Sequence, residues 1–154
     1  IRSGSEHRKF MRQIIVSVDI TAPIYWWKEF DTYKVGTVAN SCSTMHKIAD
    51  KEFTLDDFSH EQMHDAFRAD LQRLVKILNI ARNKFLETGD KRFWWDMIQL
   101  LPSSYNQRRT VQLNYAVLRN MYHARKGHKL DEWRNFCAWM ETLPYSRLIT
   151  WDLT

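Results

Sequence analysis

The chain has 154 residues, of which 44% are hydrophobic and 27% charged, a composition ordinary for a globular protein. Its formal net charge is +5 at pH 7, and the cations are spread along the chain, so nucleotides and phosphates suit it as well as nucleic acid does. No apolar run approaches the roughly 20 residues of a membrane span, and the first ten residues lack the apolar core of a signal peptide. We therefore expect one cytoplasmic domain over residues 1–154. We also expect that it lacks its N-terminal segment, because the sequence does not begin with Met.

The two cysteines, Cys42 and Cys137, are too few and too far apart in sequence for a disulfide framework. We expect free thiols in a reducing compartment. A cysteine nucleophile needs a committed base, and the pattern of residues supplies none for Cys42.

Alternation of apolar residues at period two predicts one strand, from Arg12 to Ile20. Thr21 is a candidate N-cap and Pro23 suits a first helical turn, so a helix is predicted to follow and to end by Gly36. We expect a small sheet built around residues 11–20.

Helices dominate the remaining predictions. Ser59 and Gln62 have the spacing of a capping box, which predicts a long helix from Ser59 to Thr88, ended by Gly89. Three more helices, each stopped by Pro or Gly, are predicted over residues 90–101, 109–126 and 131–143. The sequence therefore predicts an α+β fold that is mostly helical.

The stretch "HEQMH", His60 to His64, matches H-E-x-x-H, in which two histidines one helical turn apart bind zinc and the glutamate acts as base. The alternative is a capped helix start, with Glu61 favoured by the helix dipole and Gln62 by the capping box. We prefer the second interpretation and predict no metal site.

Polar and cationic residues recur every three or four positions in the predicted helix over 109–126, which would put them on one face. The face is typical of a solvated amphipathic helix. It also suits an anionic ligand that carries a ring, because no carboxylate interrupts it and arginine with tyrosine clamps phosphates and stacks on rings. The residues are Arg108, Gln112, Tyr115, Arg119, His123 and Lys126.

The stretch "NSCSTMH" concentrates hydrogen-bonding side chains, among them Asn40, Ser43 and His46, with Lys34 upstream. Such residues often only close a loop or cap a helix. The functional alternative is that they form a polar wall facing Arg119, which we expect to be the main anion-binding side chain because it has no carboxylate three or four residues away.

Tryptophans occur in two adjacent pairs, Trp26–Trp27 and Trp94–Trp95. On helical grounds one member of each pair belongs to the core, and the other must face solvent, a ligand or another subunit. We expect an oligomer interface there. The four glycines form no phosphate-cradling loop, so side chains must hold any nucleotide.

The order of these segments resembles the flavin-dependent thymidylate synthases. That family has an early E-H…F before a strand, then R-H-R-x-x-S-x-N-x-x-S-x-R, and later L-L-P…Y…T followed by N-L-R-S-L-L-H-F. The matching residues here are Glu6, His7, Phe10, Asn40, Ser43, Leu100, Leu101, Pro102, Tyr105, Thr110, Leu118, Arg119 and His123.

The resemblance implies a family-like α+β fold with a small antiparallel sheet. It also implies a homotetramer that binds FAD and dUMP between subunits, with methylenetetrahydrofolate as carbon donor and NADPH as reductant. The implied cofactor contacts are His7, Lys34, Asn40 and His46. Together with the cationic residues of the 108–126 segment, this gives the predicted substrate contacts Ser43, Tyr105, Arg108, Arg109, Arg119 and His123.

The chain departs from the family at the R-H-R triplet, which falls on Tyr33, Lys34 and Val35, so one cation of three remains. It looks like a divergent branch of the sort met in phages and their hosts. Three functions stay open. The chain could be an active synthase that methylates dUMP, a non-catalytic relative that binds a protein or nucleic acid, or a nucleotide binder without flavin.

Overall fold

The structure is a computed structural model that describes residues 5–152, without the side chains of Ser5 and Glu6. The chain divides into two compact units that alternate along the sequence. The first unit comprises Ile1–Ile20, Trp26–Asn40 and Arg109–Thr154, and the second Thr21–Tyr25 and Ser41–Arg108. The expectation of one domain over residues 1–154 stays a prediction.

The predicted fold class, α+β with helices dominant and a small antiparallel sheet, is confirmed. Three strands form the sheet in the order β1-β3-β2: β1 (Ile15–Pro23), β2 (Val38–Ser41) and β3 (Asn106–Asn114). The helices are α1 (Ile24–Phe30), α2 (Thr44–Lys47), α3 (Asp65–Thr88), α4 (Lys91–Leu100), α5 (Tyr115–Arg125), α6 (Asp131–Glu141) and α7 (Arg147–Thr150). The segments Ser5–Gln13 and Leu55–Asp57 are 3-10 helical.

The predicted helix over 109–126 is wrong in its first third, residues 109–114, which belongs to β3. Val111 and Leu113 are buried while Thr110 and Gln112 are exposed, the period of a strand and not of a helix. Asn114 ends the strand and caps α5, because its side chain accepts a 3.1 Å hydrogen bond from the Val117 N–H.

Two further boundaries differ from the predictions. β1 continues through Thr21 to Pro23, so Thr21 is not a helix cap and α1 starts at Ile24. Helix α3 begins at Asp65, because the Ser59 hydroxyl donates to Asn106 Oδ1 over 2.9 Å instead of capping a helix. The predicted end of this helix is confirmed: Gly89 follows Thr88 with φ of 67°, a left-handed conformation that favours glycine.

Aromatic rings form the core of the first unit. Trp26 and Trp27 are both buried, so the prediction that one of them faces outward is wrong for this pair. The Trp26 ring lies 4.8 Å from the Trp133 ring and 5.1 Å from the Phe30 ring, centroid to centroid. Such contacts stabilise a core beyond the area that they bury.

The core of the second unit lies between α3, α4 and the chain before α3. It includes Leu71, Val75 and Leu78 of α3, Met97 of α4, and Phe58. Along the part of the chain that the structure describes, no helix combines the length and apolar character needed to cross a membrane.

Candidate functional site

A polar cleft of about 440 Å³ opens in the second unit. Two segments form its walls, the start of "SCSTMHK" and "YNQR", which contain the predicted contacts Ser43, Tyr105 and Arg108. The lining residues include Thr21, Cys42, Ser43, Thr44, Lys47, Asp50, Lys51, Asp56, Asp57, Tyr105, Asn106, Gln107 and Arg108. We call this site the polar cleft.

Hydrogen bonds join the two walls. The Cys42 backbone N–H donates to the Arg108 carbonyl oxygen over 3.2 Å, and Gln107 Nε2 donates to Thr44 Oγ1 over 3.0 Å. Ser43 caps α2, accepting a 3.4 Å hydrogen bond from the His46 N–H at its hydroxyl. The wall residues are thus held in place before any ligand arrives.

Tyr105 forms one end of the polar cleft. Its ring packs against Phe58, with 5.6 Å between the ring centroids, and its backbone N–H donates to the Pro102 carbonyl over 3.0 Å. Burial, and then the nearby Asp57 carboxylate, raise the pKa of the Tyr105 hydroxyl above its usual 10.0. The hydroxyl therefore stays protonated at neutral pH and can donate a hydrogen bond.

The polar cleft contains both signs of charge. Lys47, Lys51 and Arg108 supply cations, and Lys51 forms an ion pair with Asp57. Burial opposes ionisation of Asp57, but hydrogen bonds from Lys51 and Thr54 outweigh it and lower the pKa of this carboxyl. This chemistry suits a polar ligand with an anionic group and hydroxyl or amide groups.

The structure brings together three of the predicted substrate contacts, Ser43, Tyr105 and Arg108, in the polar cleft. However, the wall that contains Ser43 faces the start of β3, and Arg119 and His123 do not line the cleft.

Arg119 and His123 contact the C-terminal segment of their own chain. Arg119 is buried, and its Nη1 lies 3.3 and 3.2 Å from the carbonyl oxygens of Leu148 and Ile149. His123 Nε2 lies 3.1 Å from the Ile149 carbonyl oxygen, and its Nδ1 lies 3.0 Å from Asp152 Oδ1. The sequence reasoning that left Arg119 without a partner was therefore wrong.

Arg109 also has partners within the first unit. Its guanidinium carbon lies 4.3 Å from the centroid of the Trp27 ring, and its Nη1 is 2.8 Å from Asp31 Oδ1. The shared helical face that was predicted for the cationic residues does not exist, because Arg108 and Gln112 lie on β3 while Tyr115 and Arg119 lie on α5.

Two of the predicted cofactor contacts, Lys34 and His46, line clefts in different units. Lys34 lies beside Tyr33 and Thr37 in a cleft of about 380 Å³ in the first unit. His46 lines a cleft of the second unit, while the side chains of His7 and Asn40 are exposed. The role of these four residues in flavin binding stays a prediction.

The histidines of "HEQMH" lie outside any helix. His60 precedes α3 with its Nδ1 2.8 Å from the Phe58 carbonyl oxygen, and His64 is the N-cap residue of α3. The helical geometry that H-E-x-x-H needs for zinc is thus missing. Across residues 5–152, apart from the two side chains left out, no cluster of three His, Cys, Asp or Glu residues could hold a metal ion.

Sequence reasoning missed several lining residues of the polar cleft, notably Lys47, Lys51, Asn106 and Gln107. Two of them had a usable signal, because Asn106 and Gln107 stand between the predicted contacts Tyr105 and Arg108. Lys51 had no such signal in the sequence, since its position in the cleft depends on the turn that follows α2.

Comparison with known proteins identifies the fold. Two crystal structures of the flavin-dependent thymidylate synthase of Helicobacter pylori, both with FAD and dUMP, superpose on the chain with TM-scores of 0.68 and 0.67. Each match covers 96% of this chain and 83% of the other, at 15% sequence identity.

The chain has the fold of the flavin-dependent thymidylate synthases. The resemblance in segment order is therefore confirmed at the level of the fold. No family model matches the sequence, and no curated protein matches it. The likeness to these synthases is thus one of fold, at 15% sequence identity.

Proposed function

We propose that the chain is a flavin-dependent thymidylate synthase-like protein whose polar cleft binds a dUMP-like nucleotide. The observation that carries the proposal is that Ser43, Tyr105 and Arg108, all three predicted substrate contacts, line one cleft. The shared fold with synthases determined with FAD and dUMP supports it.

Different lining residues suit the phosphate, the base and the sugar of such a ligand. The guanidinium of Arg108 and the ammonium of Lys47 suit the phosphate. The amides of Asn106 and Gln107 suit the polar edge of a pyrimidine, because each amide offers both a donor and an acceptor. Carboxylates such as that of Asp50 suit the hydroxyl of a sugar.

In its catalytic form, the proposal is methylation of dUMP to dTMP, with the one-carbon unit from methylenetetrahydrofolate and the hydride from FAD reduced by NADPH. In this form the predicted cofactor contacts His7, Lys34, Asn40 and His46 would act in a site shared by several copies of the chain. A homotetramer, as the resemblance implies, would supply such a site. We derive no step through the flavin from the geometry of one chain.

One observation favours a nucleotide binder that has lost flavin chemistry. Tyr33 stands where the family has the first arginine of its triplet, and its hydroxyl accepts a 3.0 Å hydrogen bond from Arg125 Nε. Arg125 also donates to Glu29 over 2.9 Å. Val35, at the third position of the triplet, is 90% exposed. The two lost cations are thus replaced by a structural contact and by a solvent-facing side chain.

Calorimetric titration with dUMP, dTMP, UMP and inorganic phosphate tests the binding proposal. Wild type should prefer a pyrimidine nucleotide to phosphate alone. Arg108→Ala should weaken dUMP binding about 10- to 30-fold and Ser43→Ala about 3-fold, as expected for a lost charge-assisted and a lost neutral hydrogen bond. Arg73→Ala is the matched control, because Arg73 is exposed on α3 and pairs with Asp70.

The proposal is wrong if wild type fails to bind dUMP at millimolar concentration, or if Arg108→Ala binds it as tightly as wild type. The visible absorption spectrum of the purified protein separates the two forms of the proposal. A yellow protein that converts dUMP to dTMP with methylenetetrahydrofolate and NADPH supports the synthase. A colourless protein that still binds dUMP supports the non-catalytic binder.

A further inference from the structure

A second cleft of the same unit has a different chemistry. It has a volume of about 490 Å³, and tryptophan, methionine and aliphatic side chains dominate its lining. We call it the indole cleft, after Trp94 and Trp95 of α4. Its other lining residues are Met45, His46, Ile48, Ala49, Phe85 and Lys91.

The two tryptophans form a corner. Their ring centroids are 4.9 Å apart and the ring planes meet at 77°. Trp94 is fixed, because its Nε1 donates a 3.1 Å hydrogen bond to the Met45 carbonyl oxygen. A flat ring can therefore stack on one indole and meet the edge of the other, the two arrangements that aromatic pairs prefer.

Apolar surface in the indole cleft is exposed to water. The side chains of Trp95 and Met45 are 48% and 51% exposed. Covering this surface would be favourable in proportion to the apolar area removed from water. A cleft volume of about 300–1,000 Å³ is typical of small-molecule sites.

The charged side chains that line the indole cleft indicate which charge its ligand should have. Lys91, at the first position of α4, and His46 line the cleft, and among its lining residues there is no carboxylate. A cation beside an aromatic corner favours a ring with a negative group. We propose that the indole cleft binds a planar aromatic anion, such as an aromatic carboxylate.

This ligand would not compete with a nucleotide, because the polar cleft and the indole cleft share none of their lining residues. Both clefts nevertheless use the single turn of α2. Thr44 and Lys47 line the polar cleft, while Met45 and His46 line the indole cleft.

Calorimetric titrations test the proposal. The ligands are 2-naphthoate and its uncharged amide, 2-naphthamide. Wild type should bind 2-naphthoate more tightly than the amide. Lys91→Gln should weaken 2-naphthoate about 3-fold and leave the amide unchanged, as expected for one exposed charge pair. Trp95→Ala should weaken both ligands about 10-fold.

Two controls match these variants. Trp151→Ala removes a tryptophan that is 36% exposed in the other unit, and Lys76→Gln removes a cation of α3 that lines neither cleft. Neither should change either affinity. Saturating dUMP should not displace 2-naphthoate, so failure of the nucleotide proposal would leave this test intact.

The proposal is overturned if wild type binds neither ligand at millimolar concentration, or if it binds the acid and the amide equally. It is also overturned if Trp95→Ala binds 2-naphthoate like wild type. Light scattering decides one further alternative. If wild type is an oligomer that Trp95→Ala dissociates, and 2-naphthoate does not bind, a second copy of the chain covers the cleft.

Discussion

The Nη1 of Arg119 donates a 3.2 Å hydrogen bond to the carbonyl oxygen of Ile149. Arg119 is the one charged residue buried in the described part of the chain, and burial lowers the pKa of its guanidinium. Backbone carbonyls of the C-terminal segment thus accept hydrogen bonds from the guanidinium of Arg119. The sequence analysis had assigned this guanidinium to an anionic ligand. The structure supports a role for Arg119 in holding α7 against α5.

We predict that Arg119→Ala lowers the free energy of unfolding by about 2–3 kcal/mol, because it removes the hydrogen bonds of a buried guanidinium to the Leu148 and Ile149 carbonyl oxygens. Urea denaturation followed by circular dichroism measures the change. The exposed control Arg73→Ala should change the stability by less than about 0.5 kcal/mol. An Arg119→Ala protein as stable as wild type would contradict this role and restore the ligand-binding interpretation.

Local sequence signals predicted the helices well where caps and breakers were clear. Asp90 caps α4, accepting a 2.9 Å hydrogen bond from the Arg92 N–H, and α6 starts at the predicted Asp131. β3 was missed because Leu113, Val117 and Met121 are spaced as on one helical face, although Leu113 belongs to the strand. Asn114, a strong N-cap residue, was the signal that could have separated strand from helix.

The sequence predicted only part of the candidate site, and the reason is physical. Ser43 and Tyr105 were found through motif spacing, which reports residue order but not which surfaces meet. Arg119 was misplaced because its partners, the carbonyls of Leu148 and Ile149, are backbone groups that no sequence pattern reveals. Tertiary contacts of this kind require coordinates.

Leu78 and Ile77 are neighbours on α3 with opposite environments, which allows a matched test of the core of the second unit. Leu78 is fully buried, whereas Ile77 is 49% exposed. Leu78→Ala should cost about 3 kcal/mol of unfolding free energy, because it leaves a cavity among packed side chains. Ile77→Ala should be close to neutral, since alanine favours the helix. Equal effects in urea denaturation would contradict the assigned core.

Asp57 should make stability depend on pH. Although burial opposes ionisation, hydrogen bonds from Lys51 and Thr54 lower the folded-state pKa of Asp57 below 3.8. A depressed folded pKa contributes stability that is present above the unfolded pKa and is lost as pH falls through the folded pKa. We therefore predict that Asp57→Asn destabilises the protein near neutral pH and that its deficit shrinks below about pH 4.

Unfolding at several pH values measures this deficit. Asp70→Asn is the control, because Asp70 is an exposed partner of Arg73 and its change should be small at every pH. A deficit for Asp57→Asn that stays constant from neutral pH into the acid range would show that the carboxylate charge is not the cause.

The last prediction concerns the two thiols, which are both free, as the sequence indicated. Cys137 is buried, and burial, with Glu141 nearby, raises the pKa of its thiol to about 11. Because the thiolate is the reactive form, Cys137 should resist a disulfide reagent in the folded protein at about pH 8. Cys42 is exposed in the polar cleft, so it should react.

Accordingly, Cys42→Ser should abolish labelling of the native protein by Ellman's reagent, while Cys137→Ser should retain it. In urea, each single variant should release one equivalent, which controls for thiols already oxidised. Native Cys42→Ser labelled at the wild-type rate would show that Cys137 is accessible and that the first unit opens at its aromatic core.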